Sequence, residues 1–170
     1  MPLKIGFIGL GTMGKPMAVN IAKAGFDLTV YDLRAEPCAD LALLGAKAAS
    51  SAREVAERSD IIEIVVVDDE QTERVIAGEE GLIHGARSGS IVAVHSTILP
   101  VTVRKIAAWC GGTGVDVIDA PVSGGQKGAQ DKELCYMVGG GAEVLEKCRP
   151  VFATSARHIF HLGEWAWERP

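Results

Sequence analysis

The residues best suited to chemistry stand near the front of the chain, in the run Gly9-Leu10-Gly11-Thr12-Met13-Gly14. Glycines at this spacing, between a strand and a helix, are built to hold a dinucleotide. Gly9 permits a sharp turn, Gly11 lets the backbone approach a pyrophosphate, and Gly14 lets the helix pack close to the strand. The unpaired N–H groups and positive end of that helix then face the phosphates. Leu10, Thr12 and Met13 belong to the same cofactor-binding turn. Asp32 follows Gly14 by 18 residues, at the end of a second strand-like segment. A carboxylate there accepts hydrogen bonds from the adenosine ribose hydroxyls and repels a 2′-phosphate. Arg34, two residues on, is able to meet such a phosphate, but Asp32 is in the stronger position, so NAD is expected ahead of NADP. A second glycine-rich run, Asp119-Ala120-Pro121-Val122-Ser123-Gly124-Gly125, presents a hydroxyl and consecutive backbone N–H groups. That is a small nest suited to a carboxylate.

These loops need a scaffold, and the hydrophobic pattern supplies one. Lys4–Leu10 and Asp27–Asp32 read as strands, with Met13, Met17 and Ile21 marking one face of a helix between them. A short helix is expected near Pro37–Leu44, and Ser51 with Glu54 fits a capping box that opens another. Ile61–Val67 is the most apolar strand and is expected at the centre of the sheet. Glu70–Ala77 reads as a helix, Ile91–His95 as a strand, and Pro100–Cys110 as a helix with proline in its first turn. Strands at Val115–Asp119 and Leu134–Val138 flank the second glycine-rich loop; a helix at Ala142–Phe152 and a strand at His158–Leu162 follow. The alternation predicts an α/β fold of Rossmann type: a doubly wound, mainly parallel sheet with helices on both faces. Ligands in such a sheet lie outside the carboxyl ends of the strands, so both glycine loops should border one crevice.

Composition narrows the function classes. With 48% apolar and 23% charged residues the chain is an ordinary globular domain. A formal charge of -5 gives no electrostatic reason to expect nucleic acid. No apolar run approaches the length of a membrane span, and the N-terminus lacks the pattern of a signal peptide, so a cytoplasmic location is expected. Cys38, Cys110, Cys135 and Cys148 are widely spaced, without the pairing that a metal site needs, and are expected as reduced thiols.

Three segments taken together closely resemble the β-hydroxyacid dehydrogenases: GFIGLGTMGKPMAVNIAKAGF, HSTILP and DAPVSGGQKGAQDKELCYMVGG. That family includes 3-hydroxyisobutyrate dehydrogenase and related semialdehyde reductases, and shares the 6-phosphogluconate dehydrogenase type of NAD-binding domain. The resemblance runs from about Leu3 to Gly163. It implies an NAD(P)-dependent oxidoreductase that moves a hydride between a nicotinamide cofactor and a small 3-hydroxy acid or semialdehyde. By the same resemblance, Val66 and Val67 border the nicotinamide ribose, Ser96 and Thr97 lie beside the ring end, and Ser123, Gly124 and Gly125 hold the substrate carboxylate. The family usually carries Leu-Pro where Val66-Val67 stand, and Gly-Thr where Lys132-Glu133 stand.

The resemblance also implies a catalytic Lys on a long helix after the last strand, followed by an all-α domain. Both are expected to be absent here, with residues 1–163 forming the dinucleotide domain and residues 164–170 a tail unlike the family. Reading the tail codons one base out restores the family pattern x-x-Gly-x-Gly after Gly163, which points to a one-base deletion near codon 164. The alternative is a short protein with an unrelated tail. No catalytic residue is assigned: Lys127 lies in the substrate loop at a position where the resemblance implies that many residues are tolerated, Lys132 reads as a solvated loop charge, and His95 as a strand-end residue bordering the crevice. The chain is therefore expected to bind cofactor without turning over substrate, and to self-associate through apolar surface that a second domain would cover. The competing reading is a catalytically inert NAD-binding module.

Overall fold

The computed structural model describes residues 2–163; the expectation about the 164–170 tail lies outside them. The chain opens with β1 (Lys4–Ile8), α1 (Gly14–Lys23), β2 (Asp27–Tyr31), α2 (Ala35–Ala42), β3 (Lys47–Ala48) and α3 (Ala52–Glu57). It continues with β4 (Ile61–Ile64), α4 (Asp69–Ala77), β5 (Ile91–Val94), α5 (Pro100–Cys110) and β6 (Asp116–Asp119). It ends with β7 (Val122–Ser123), α6 (Gly125–Asp131), β8 (Leu134–Gly139), α7 (Ala142–Phe152) and β9 (Ala156–Gly163). A single sheet runs in the order β3-β2-β1-β4-β5-β6-β8-β7, with β9 paired to β8. The expected doubly wound α/β architecture is present, and the strands from β3 to β6 are parallel.

Alternation along the strands divides the core in two. Phe7, Ile61, Ile91, Ile118 and Tyr136 face α1, α6 and α7, where they meet Met17, Ile21, Ala129, Leu145 and Phe152. Ile8, Ile62, Ile64, Val92 and Val94 face Val55 of α3, Ile76 of α4 and Ile106 of α5. Strands covered on both faces read as apolar runs, which is why β5 stands out in the sequence, and β4 likewise apart from its buried Glu63. β4 lies between β1 and β5, inside the sheet as its composition predicts. It ends at Ile64, however, so Val65–Val67 leave the sheet as a connection.

Other details depart from the sequence pattern. The glycine-rich stretch after β6 is not one loop: Val122–Ser123 pairs antiparallel with β8, and Gly125–Asp131 is helical. β8 is antiparallel to β6 and β7, so the sheet is mixed at this end. The capping box is half made. Ser51 Oγ accepts the Glu54 N–H at 3.1 Å, but the Glu54 carboxylate bonds the Ser50 N–H and hydroxyl instead of reaching Ser51. All four cysteines are free, and burial pushes the Cys110 thiol up to about 11. Among the described residues, no helix is long and apolar enough to cross a membrane.

The turn after β1 shows why its glycines are needed. Gly9 has a φ of +95°, and a Cβ there would lie 2.0 Å from the carbonyl oxygen of Val65. A Cβ on Gly14 would lie 1.9 Å from the carbonyl oxygen of Gly9. By contrast, nothing lies within 4 Å of a Cβ on Gly11. Gly14→Ala should therefore destabilise the fold by about 1–3 kcal/mol, because backbone must move to admit the methyl. Gly11→Ala should stay within about 0.5 kcal/mol of the parent, as a surface substitution with no contact to lose. Urea midpoints for the two variants check the contrast.

Candidate functional site

Four strand ends converge on the first glycine turn, because β2, β1, β4 and β5 are parallel neighbours and finish on one edge of the sheet. β1 delivers Gly9–Gly14, β2 delivers Asp32, β4 delivers Val66 and Val67, and β5 delivers Ser96 and Thr97. Met13 caps α1 without a side-chain hydrogen bond. The Lys15 N–H donates to the Gly11 carbonyl at 3.0 Å and Pro16 has no N–H, so the N–H groups of Thr12, Met13 and Gly14, at the positive dipole end, are the ones available to an anion. The open space over Gly11 and the close contacts at Gly9 and Gly14 form a cradle that a β-carbon at position 11 would begin to fill. The residues present fit a dinucleotide pyrophosphate.

Asp32 does more than the sequence suggests. Its Oδ2 accepts the Leu10 N–H at 2.7 Å, and Oδ1 accepts the Arg34 N–H at 2.9 Å and Nε–H at 3.1 Å. The Arg34 guanidinium also donates to the Leu10 carbonyl at 3.1 Å. The carboxylate therefore stitches the end of β2 to the glycine turn. Burial works to raise the Asp32 carboxyl, but hydrogen bonds from the Arg34 side chain and from the Arg34 and Leu10 N–H groups outweigh it. The net result lies below the usual carboxylate range, so Asp32 stays ionised at neutral pH. An ionised carboxylate offers about four lone-pair sites. Oδ1 already takes two donors, and Oδ2 takes the Leu10 N–H and a long 3.5 Å contact from the Arg34 guanidinium, so a ribose hydroxyl would bond at Oδ2 in place of that long contact.

A cleft of about 710 Å³ opens beside this carboxylate. Gly9, Gly11, Thr12, Asp32, Val66 and Val67 line it, and they share it with Leu33, Gln71 and Val75. The sequence reading did not single out the last three. Leu33 had a signal in its position after Asp32, whereas Gln71 and Val75 enter only because α4 packs beside the β4 exit. A second cleft of about 570 Å³ continues past Leu10, Gly11, Thr12 and Lys15 to Gln126 and Gln130 of α6. Met13 and Gly14 line neither cleft.

The remaining expected positions are more dispersed. Ser96 is buried, and its Oγ accepts the Val66 N–H at 2.9 Å, joining the ends of β4 and β5. Thr97 is exposed beside it. Ser123 is exposed on β7, with Gly124 and Gly125 both at positive φ where α6 begins. Ser96, Thr97 and Ser123–Gly125 line neither cleft. His95 overturns its expectation: it is buried rather than at the crevice border, packed edge-on to Tyr136 and Phe152. β5 ends one residue earlier, and the alternation of the strand points this side chain into the core. Lys127 is exposed and pairs with Asp131, one turn along α6. Lys132 ends α6 in the left-handed conformation and is exposed.

The family described as the NAD binding domain of 6-phosphogluconate dehydrogenase matches residues 4–163. This chain belongs to it. An NAD-dependent L-serine dehydrogenase from Pseudomonas aeruginosa is 43% identical over 160 residues, which make up 94% of this chain and 54% of that protein. A solved 3-hydroxyisobutyrate dehydrogenase from Mycobacterium tuberculosis, with L-serine, matches with a TM-score of 0.90 at 32% identity. The match covers 96% of this chain and 55% of that one. A structure titled Psf3 in complex with NADP+ and 2-OPP matches with a TM-score of 0.88 at 28% identity, over 94% of this chain and 56% of that one. The chain spans about half the length of the relatives it matches. It is an NAD(P)-binding domain of Rossmann type within an oxidoreductase family.

Asp119, at the end of β6, provides a pH signature near the second glycine run. Burial raises its carboxyl to about 6, although the neighbouring His95 pulls the other way. The unfolded chain releases this proton near 3.9 and the folded chain near 6. Between those values the folded state binds more protons at this site, so the contribution of Asp119 to stability falls as pH rises from about 4 to about 6. Asp119→Asn should remove that slope and raise stability at pH 7 by about 1–2 kcal/mol, allowing for solvent screening. Urea unfolding of both proteins at intervals between pH 4 and pH 7 measures the difference.

Proposed function

We propose that the chain is the cofactor-binding half of an NAD(P)-dependent dehydrogenase of the 3-hydroxyisobutyrate type. Its substrate class is a small 3-hydroxy acid or the matching semialdehyde. The observation that carries this reading is the turn at Gly9–Gly14, closed by backbone contacts on two glycines and open above the third, beside the anchored carboxylate of Asp32. The relatives supply the chemical class: a 3-hydroxyisobutyrate dehydrogenase and an L-serine dehydrogenase both name a carboxylic acid with a hydroxyl on the β-carbon.

In this reading Gly11, Thr12, Met13 and Gly14 hold the pyrophosphate through backbone N–H groups. Asp32 accepts the adenosine ribose hydroxyls. Leu33, Val66, Val67 and Val75 form apolar walls of the cleft, and Ser96 holds Val66 in place through its N–H. Ser123, Gly124 and Gly125 receive the substrate carboxylate. The bound nicotinamide supplies the hydride exchange. NAD is the better partner, because the Arg34 guanidinium is already engaged by Asp32 and the Leu10 carbonyl, and the ionised Asp32 repels a 2′-phosphate.

Proton exchange with the substrate hydroxyl is not assigned to these residues. Lys127 is paired with Asp131, and His95 is enclosed by Tyr136 and Phe152. In the full-length relatives the other half of the chain is available to provide that group and to close the cleft. General acid–base help is typically worth about 10²–10⁴-fold. These same enclosed or paired groups favour, as the second reading, an inert module that only binds NAD.

Calorimetry on the purified chain should show NADH binding at least about tenfold tighter than NADPH. Gly11→Val should abolish NADH binding while leaving the urea midpoint near that of the parent. NADPH binding as tight as NADH would assign the cleft to Arg34 instead of Asp32. NADH formation from 3-hydroxyisobutyrate or L-serine should stay at background for this chain alone. Weak binding of 3-hydroxyisobutyrate to the NAD+-loaded chain, lost in Ser123→Pro, separates the dehydrogenase half from an inert module. Robust turnover by the 170-residue chain would contradict the assignment of proton transfer to a second half.

A further inference from the structure

Two ionisable side chains lie in the middle of the sheet, away from both clefts. Glu63 on β4 and His95 at the end of β5 point into the same core layer, and their side chains are 1% and 0% exposed. The imidazole sits edge-on to the Tyr136 ring at 5.5 Å and to the Phe152 ring at 5.3 Å. Its Nδ1 lies 2.8 Å from the Ala120 carbonyl oxygen. A carbonyl only accepts, so Nδ1 must carry the hydrogen. The other ring nitrogen, Nε2, is 3.2 Å from Glu63 Oε2, at ion-pair separation but off a good hydrogen-bond line. No described residue bonds Nε2 or Glu63 Oε1. With Nδ1 turned to the Ala120 carbonyl, the ring presents Nε2 to the Glu63 carboxyl, so the two neighbouring strands hold the imidazole from both sides.

Ala120 is where β6 hands the chain to the second glycine run. Its N–H donates to the Val94 carbonyl at 2.8 Å, and its own carbonyl takes the His95 bond, so the peptide is held on both sides. One residue on, the Pro121 carbonyl accepts the Met137 N–H at 3.0 Å, and Val122–Ser123 then pairs with β8. We infer that His95, held with Nδ1 on the Ala120 carbonyl and Nε2 toward Glu63, is the positioning residue for the segment Pro121–Gly125. This rests on the reading of Ser123–Gly125 as the carboxylate subsite, and it gives that subsite a support from the neighbouring strands. The titratable groups packed around the pair are Asp119, Tyr136 and Cys148. Burial raises each of them, and the charge of Glu63 acts further on Tyr136 and Cys148.

The test compares three variants. His95→Phe keeps the aromatic packing and removes the donor. His95→Asn places an amide N–H where Nδ1 stands, and Glu63→Gln keeps a neutral partner for Nε2. Amide exchange of Met137 reads the Pro121 bond directly, and β1 amides serve as the internal standard. Met137 should exchange about tenfold faster in His95→Phe and near the parent rate in His95→Asn and Glu63→Gln. NADH affinity should be unchanged in all three, while 3-hydroxyisobutyrate should bind about tenfold more weakly to His95→Phe. Nitrogen-15 spectra of the parent at neutral pH should show a protonated Nδ1. A bare Nδ1, an unaltered Met137 in His95→Phe, equal acceleration in β1, or failure of His95→Asn to restore protection would each overturn the proposal. If His95→Phe does not fold, the parent spectrum and the two conservative variants still decide it. A parent that binds neither NADH nor 3-hydroxyisobutyrate strikes the dehydrogenase reading and leaves the exchange pattern to judge the pin.

Discussion

The molecule is organised by a backbone contact that admits no side chain. The start of α1 rests on the carbonyl of Gly9, and Gly9 rests on the carbonyl of Val65 as the chain leaves β4. A turn, a helix start and a strand exit therefore meet with only glycine between them. A β-carbon at position 9 or 14 would come within about 2 Å of a carbonyl oxygen, closer than any packing adjustment of side chains could relieve. The contact aims the positive end of α1 across the carboxyl edge of the sheet. The position of the clefts follows from that direction.

Asp32 secures the same turn from the other side. Its carboxylate takes the Leu10 N–H and three donors from Arg34, so the group suited to ribose hydroxyls is also a structural brace. In the proposed function one charge thus serves folding and recognition together. The brace keeps the carboxylate ionised despite partial burial, because hydrogen bonds to the charged form outweigh desolvation. It also engages Arg34, whose guanidinium would otherwise be free to attract a phosphate.

The far end of the sheet is built differently. There β8 runs antiparallel to β6 and β7, and the layer beneath contains polar groups: Asn20 of α1 donates to the Ala129 carbonyl of α6 and to Ser155. Glu63 and His95 belong to this layer. Buried polar groups cost stability unless paired, and paired ones constrain the geometry of the elements they join. In this half, polar bonds link α1, α6 and the strands around the second glycine run, where the first half relies on close backbone packing.

Read alone, the sequence determined the order of strands and helices, the doubly wound class and the Gly9–Gly14 turn with Asp32. Each rests on local rules: residue periodicity, glycine's conformational range and the spacing between a turn and the next strand end. β3, β7 and α6 were hidden, because two-residue strands and a seven-residue helix with two glycines carry no periodic signal. Leu33, Gln71 and Val75 were not legible as one wall, since their nearness depends on how α4 packs against the β4 exit. Only the tertiary structure decided that His95 lies inside and meets Glu63. Strand alternation and the packing of Tyr136 and Phe152 set that depth, and a buried pair is made by neighbouring strands that the chain places 32 residues apart.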